Sequence, residues 1–355
     1  MKNRKFNALT LIIVSTIVFI ILVVLQYYKI IGEYNGMLLT LAGIYVIVSL
    51  SLNLITGVTG QFSLGQAGFM CVGAYTTAIA IIKFNIPIPI ALILGGLMTA
   101  LFGMAIGIPA LRLRGDYLAI TTLGFGEIIR VIMVNLDSLT GGAAGLKGIP
   151  PFSNTGNFVM DAIIEFTWVY ISAIIIMAVI YNLVNSSHGR AILSIREDEI
   201  AATAMGINVA YYKVFAFTLS SFIAGIGGGL YAIFFGYLNP AMFGWLNSVN
   251  FVVILVLGGM GSLTGTIISA IIFTYMQEWL RVFADFRLVI FGLALILLMI
   301  FWPKGLMGNK ELSITGLFRK LFNGEISFNS IKASILRGAH KIMSITKRKE
   351  KGGAK

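Results

Sequence analysis

The chain has 355 residues, of which 58% are hydrophobic and only 11% charged, and its mean hydropathy is +0.92. Soluble proteins carry about 25% charged residues, so this composition excludes a soluble globular protein and defines an integral membrane one. The formal net charge of +12 does not indicate a nucleic-acid partner, because residues 304–355 hold 12 Lys or Arg against 3 Glu and therefore +9 of that excess.

Several apolar windows reach or exceed the ~20 residues that cross a bilayer as a helix. They do not alternate as barrel strands would. The expected class is an all-α, polytopic transmembrane helical bundle of about ten membrane helices. Cys71 is the single cysteine, which excludes a disulfide framework and a multi-cysteine metal site.

At the amino end, Lys2, Arg4 and Lys5 precede an uncharged run from Phe6 to Tyr28. The run is long for a signal-peptide core and no small-x-small cleavage pattern follows, so an uncleaved first helix, about Leu9 to Leu25, is expected with its amino end inside. A second helix, about Met37 to Ile55, is interrupted by TGVTGQFSLGQ (Thr56 to Gln66). A third spans about Ala67 to Ile82. Pro87 and Pro89 mark the next turn, and a fourth helix, about Ile90 to Leu111, ends at the charged return Arg112, Arg114, Asp116.

The fifth segment, Tyr117 to Leu136, is less apolar and carries Glu127 and Arg130. Three residues apart, these are neighbours on one helix face. Ionisable groups at membrane depth face a bundle interior or an aqueous path, and the pair fits either mutual neutralisation or a role in the path. Asp137 to Glu165, with Thr140, Gly141, Gly142, Gly145, Gly148, Pro150 and Pro151, reads as an outside loop. A sixth helix follows, about Thr167 to Val184.

Ser186 to Asn208, SSHGRAILSIREDEIAATAMGIN, is the most charged interruption between two long apolar halves. It carries Arg190, Arg196, Glu197, Asp198 and Glu199, then Ala201, Ala202 and Gly206, a pattern for a short helix ending at glycine. That helix suits a soluble partner. Val214 to Gln277 contains no Asp, Glu, Lys or Arg and holds the seventh, eighth and ninth helices, with breaks at Asn239-Pro240 and at LGGMGSLTG (Leu257 to Gly265). A tenth runs about Leu288 to Phe301. With the amino end inside, this count puts the Ser186–Asn208 loop, the Arg112 return and the basic tail inside together, as positive charge requires.

Residues 1–303 thus form a membrane domain and 304–355 a basic inside tail. In the tail, Ile314, Leu317, Phe318, Leu321 and Phe322 beside Arg319 and Lys320 have the spacing of an interfacial helix in contact with lipid. The final TKRKEKGGAK has the composition of a disordered end.

The two glycine-rich breaks, Gly57-x-x-Gly60-x-x-Ser63-Leu64-Gly65 and Gly258-Gly259-x-Gly261-Ser262-Leu263, are alike in kind. Such breaks open a helix where it lines a cavity, as in transporters. They also serve close helix packing, and at this point both readings stand. Their occurrence in opposite halves suggests an internal repeat.

Enzyme chemistry is poorly served. His188 and His340 are the only histidines and lie outside the apolar spans, so no metal cluster or Ser/His dyad forms around Ser63 or Ser262. No resident cofactor is expected. A G-x-x-x-x-G-K-[ST] phosphate loop is absent, and the scarcity of ionisable groups in the spans disfavours an ion-driven transporter. What remains is a transport body whose energy source lies in another subunit.

The runs GVTGQFSLGQAGFMCVGAY (Gly57 to Tyr75), LRLRGDYLAITTLGFGEIIR (Leu111 to Arg130), LTGGAAGLKGIP (Leu139 to Pro150), GRAILSIREDEIAATAMGIN (Gly189 to Asn208) and LGGMGSLTG (Leu257 to Gly265) resemble the LivM-type permeases of branched-chain amino-acid ABC importers. The resemblance covers most of Gly57 to Pro303. It implies a bacterial inner or plasma membrane protein that pairs with a LivH-like second permease, two cytoplasmic ABC ATPases and an extracytoplasmic substrate-binding protein. It also implies an ATPase-coupling loop at Gly189, Arg190, Arg196, Glu197, Asp198, Glu199, Ala201, Ala202 and Gly206. The glutamate of the expected EAA-like pattern is displaced, since Ile200 precedes Ala201 and Glu199 lies one position earlier. Residues expected on the path or its gate are Gly60, Ser63, Gly65, Gln66, Glu127, Arg130, Thr140, Gly141, Gly142, Gly259, Gly261 and Ser262. Urea and amide permeases share much of this pattern, and a self-sufficient secondary transporter is the alternative of another class.

Overall fold

A computed structural model describes residues 19–28, 32–113 and 115–281, with 16, 286, 289, 292, 293, 296, 305 and 306. The helices are α1 (Glu33–Leu52), α2 (Gln66–Phe84), α3 (Ile88–Ala110), α4 (Asp116–Asn135), the single turn α5 (Asp137–Thr140), α6 (Phe158–Asn185), α7 (Ser187–Glu197), α8 (Glu199–Ala204), α9 (Val209–Phe235), α10 (Trp245–Gly258) and α11 (Leu263–Trp279). A π-helical turn, Asn53–Val58, prolongs α1. A two-residue pair, β1 (Leu146–Lys147) and β2 (Tyr237–Leu238), is antiparallel with Leu146 opposite Leu238.

Among the described residues seven helical segments are long and apolar enough to cross a membrane. Of the expected first helix, residues 16 and 19–25 are described and are helical; the expected tenth falls largely outside the described residues, as does the tail from residue 307 onward. The expected ninth helix is α11, whose 17 residues fall just short of the ~20 of a perpendicular crossing.

Several boundaries differ from the sequence reading, among them the starts of α1, at Glu33 rather than about Met37, and of α9, at Val209 rather than about Val214. The second helix runs on to Val58 because its end winds into the π turn. The sixth starts at Phe158, so Asp161 and Glu165 belong to α6 and not to the preceding loop. Asn157 explains that start: its side-chain oxygen accepts from the Val159 N–H at 3.2 Å and caps the helix, which sequence hydropathy alone does not register.

The centre of the bundle is α1, α2 and α9, whose spans are 78%, 72% and 72% buried. Association in lipid relies on close packing rather than on expulsion of water, and here small residues bring backbones together. A Cβ on Gly73 of α2 would lie 2.3 Å from the Gly225 Cα of α9, and one on Gly228 would lie 2.0 Å from the Met70 carbonyl oxygen. Large side chains fill the remaining space, with Phe69 edge-on to Phe217 at 5.4 Å and Tyr45 edge-on to Phe251 at 5.6 Å. By contrast, α4 and α6 bury only 28% and 22% of their spans.

Candidate functional site: a helix pair seated on two helix breaks

The charged segment folds as two helices separated by the extended Asp198, not as the single short helix expected. Ser186 caps α7 by accepting from the Gly189 N–H at 3.1 Å. Gly189 is required there, since a Cβ would lie 2.2 Å from the Leu183 carbonyl oxygen. Asp198 interrupts the helix in extended conformation and caps α8, accepting from the Ile200 and Ala201 N–H groups at 2.8 and 3.0 Å. The Gly206 N–H donates to the Thr203 carbonyl at 2.9 Å and that of Ile207 to Ala202 at 3.1 Å, a Schellman ending that requires the positive φ of Gly206, 80°.

Burial then sorts the residues. Ile192, Ile195 and Ala202 face inward, and Arg190 is exposed. The outward surface of α8 is apolar, with Ile200 78% and Met205 82% exposed. Sequence reasoning concentrated on the charges and missed both. Their signal was available as apolar residues inside a polar loop.

Arg196 joins this pair to the membrane helices. Its Nη1 donates to the Gly57 carbonyl at 3.0 Å, at the C-terminal end of the α1–π-turn helix, where carbonyls lack intrahelical partners and a cation is favoured. Gly60 gives it passage: a Cβ there would lie 2.7 Å from Arg196 Cγ. The other guanidinium edge bonds Glu197, Nη2 to Oε1 at 2.7 Å.

The second break lies at the same corner. Asn53 Oδ1 accepts from the Gly261 N–H at 2.9 Å, and Asn53 Nδ2 donates to the Ser262 carbonyl at 3.1 Å. A Cβ on Gly57 would lie 2.4 Å from Gly261 N. Gly259, with φ 104°, turns α10 toward α11, and Ser262 caps α11 by accepting from Gly265 N–H at 3.1 Å. The chain returns here once more, where Leu306 N–H donates to the Leu257 carbonyl at 2.8 Å. Thus Gly57, Gly60, Gly259, Gly261, Ser262 and Arg196 form one cluster. Asn53, which holds the two breaks together, was not anticipated.

Glu199 forms an ion pair with Lys213 at the start of α9, a residue only 7% exposed. Gln61, Glu197, Glu199 and Lys213 line a cavity of about 360 Å³ between the helix pair and the break. The Gln61 amide is buried without a partner among the described residues.

The remaining path residues lie in two other places. Ser63, Gly65 and Gln66 lead into α2 beside α4 and α10: the Leu64 N–H donates to Thr122 Oγ1 at 3.0 Å and the Ala67 N–H to Ser248 Oγ at 3.0 Å, while Gln66 Nε2 bonds Ser51 Oγ. Further along α4, Arg130 Nε bonds Glu127 Oε2 at 2.7 Å, and Glu127 Oε1 accepts from the Trp245 N–H at 2.8 Å. Isolated charge at the bilayer centre costs about 3 kcal/mol on insertion scales, and this pairing, with the positive end of α10, offsets it. Thr140, Gly141 and Gly142 lie at the far end of α4. There Thr140 Oγ1 donates to Met133 and Leu136 carbonyls at 2.6 and 2.9 Å, and the loop is tied to the α9–α10 connection through β1–β2. The expected path residues are therefore not one site.

A multi-span bundle whose helices break and whose polar helix pair sits on those breaks is the architecture of a membrane transport body. Residues 34–302 match the model of a family described as branched-chain amino acid transport system / permease component. The chain belongs to this family of branched-chain amino acid transport permeases. It is 36% identical over 291 residues to the high-affinity branched-chain amino acid transport system permease protein LivM of Escherichia coli, covering 76% of this chain and 68% of that protein. It is also similar to the probable branched-chain amino acid transport permease protein LivM of Methanocaldococcus jannaschii, 22% identical with 81% and 96% covered, and to Escherichia coli LivH, 23% identical with 78% and 95% covered. No solved structure matches.

Proposed function

We propose that this permease is the membrane subunit of an ABC importer that moves leucine, isoleucine or valine, released by an extracytoplasmic binding protein, across a bacterial inner or plasma membrane. A second, LivH-like permease completes the path and two cytoplasmic ATPases drive it. The observation that carries the coupling is the contact of Arg196 with Gly57, because it joins the helix pair to a transmembrane helix end without intervening loop.

In this reading α7 and α8 dock the ATPase on the cytoplasmic side, with Ile200 and Met205 entering an apolar groove. ATPase closure displaces the pair, Arg196 transmits the displacement to Gly57, and Asn53 passes it to Gly261 and Ser262. The two breaks then move together as the inner gate. Ten crossings, an internal repeat, inside termini and a lipid-facing tail accompany this arrangement.

The test is ATP hydrolysis and uptake by the reconstituted complex with binding protein loaded in turn with leucine, isoleucine, valine and urea. Stimulation by the branched-chain amino acids supports the proposal. Stimulation by urea alone, or uptake by this chain without any ATPase, overturns it.

A further inference from the structure

Glu127 and Arg130 form a second charged site, away from the coupling corner and in the C-terminal half of the α4 span, Asp116–Asn135. The carboxylate is held on both oxygens, by Arg130 Nε and by the Trp245 N–H at the start of α10. The guanidinium is not: among the described residues the Arg130 Nη atoms have no hydrogen-bond partner, which leaves their N–H groups unused. The site is also open. The two side chains retain 31% and 27% exposure, and a Cβ added to Gly124, one turn before Glu127, meets nothing within 4 Å.

A half-open ion pair at bilayer depth faces water or protein rather than hydrocarbon. The start of α10 that bonds Glu127 carries exposed apolar side chains, Trp245 and Leu246, each 52% exposed. A ligand that fits has one carboxylate for the free guanidinium edge, one cation for Glu127 and an apolar remainder. A lone anion or cation would bring net charge into the membrane, and a neutral amide has no group that pairs Arg130 as a carboxylate does.

We propose that Glu127 and Arg130 are a transit site for the zwitterionic head of an α-amino acid, with the α-carboxylate on the Arg130 Nη edge and the α-ammonium on Glu127. Trp245 and Leu246, at the start of α10, cover the side chain. Each protein charge gains a partner of opposite sign while no net charge is added, so occupation and release are closely balanced, as a path requires. The proposal rests on the transport reading above.

The experiment uses the full complex in proteoliposomes with leucine-loaded binding protein. In E127Q/R130M the Gln oxygen still accepts from the Trp245 N–H while both charges are gone. Leucine uptake per copurified complex is expected to fall roughly tenfold or more, and E127D and R130K, which keep the charges, are expected to retain part of it. Wild-type uptake by the double variant overturns the proposal. So does failure of the double variant, E127D and R130K alike to assemble with the second permease, which assigns the pair to the interface between chains. If the wild-type complex takes up none of leucine, isoleucine and valine, the transport reading fails instead, and that outcome is read before any variant.

Discussion

Arg196 Nη1 and the Gly57 carbonyl oxygen are 3.0 Å apart across 139 positions of sequence. The bond places a fixed cation at the end of the most buried membrane span among the described residues. It gives the polar helix pair a direct hold on the bundle, and charge-assisted hydrogen bonds are among the stronger ones in proteins.

Arg196→Met removes that hold and leaves the Gly57 carbonyl unpaired. Hydrogen bonds to charged groups contribute about 1.5–3 kcal/mol, less here because the Arg196 side chain is 30% exposed. Uptake per ATP hydrolysed by the reconstituted complex is expected to fall about tenfold. Arg196→Lys is expected to rescue little, since an ammonium cannot span Gly57 and Glu197 as the planar guanidinium does. Equal losses of hydrolysis and uptake would show a defect of assembly instead.

Asn53→Leu tests the link between the breaks. Asn53 is fully buried and satisfies one donor and one acceptor of the Gly261–Ser262 backbone. Orphaning buried polar groups costs about 1–3 kcal/mol each, so the thermal midpoint of the purified permease is expected to drop. Asn53→Asp keeps the acceptor for Gly261 but turns a second oxygen toward the Ser262 carbonyl, and it is expected to lose nearly as much.

Ile200→Glu and Met205→Glu should separate docking from folding. Both side chains are largely in solvent, and surface substitutions of this kind change stability by within about 0.5 kcal/mol. The permease is expected to reach the membrane with unaltered thermal stability while copurification of the ATPase is lost. Retained copurification and uptake would remove α8 from the docking surface.

Gly73→Ala probes the packing of α2 on α9. Its Cβ would meet the Gly225 backbone at 2.2 to 2.6 Å, and backbone cannot rotate aside as a side chain would. Overpacking costs about 1–3 kcal/mol, to be read as reduced thermal stability or membrane yield. Gly124→Ala, on α4, meets nothing within 4 Å and is the matched control.

Much of this was legible beforehand because it is local. Apolar windows marked the spans now seen as α1 to α4, α6 and α9, and the three-residue spacing of Glu127 and Arg130 announced their contact. The glycine breaks and the polar interruption were visible as departures from apolar composition. Lys213 was not, because a single lysine opening an apolar helix gives no hint that it is buried against Glu199.

The sequence by itself determined the membrane class, the places where helices break and the polar segment between the halves, since hydropathy, glycine and charge act over a turn or two of chain. Only the tertiary structure decided that both breaks and Arg196 meet at one corner, that Thr140–Gly142 lies elsewhere, and that Asn53 is the tie. Those contacts join residues 139 to 209 positions apart. Their partners are fixed by how glycine-faced helices pack, and no local pattern encodes which carbonyl a side chain will find once packing has brought it within reach.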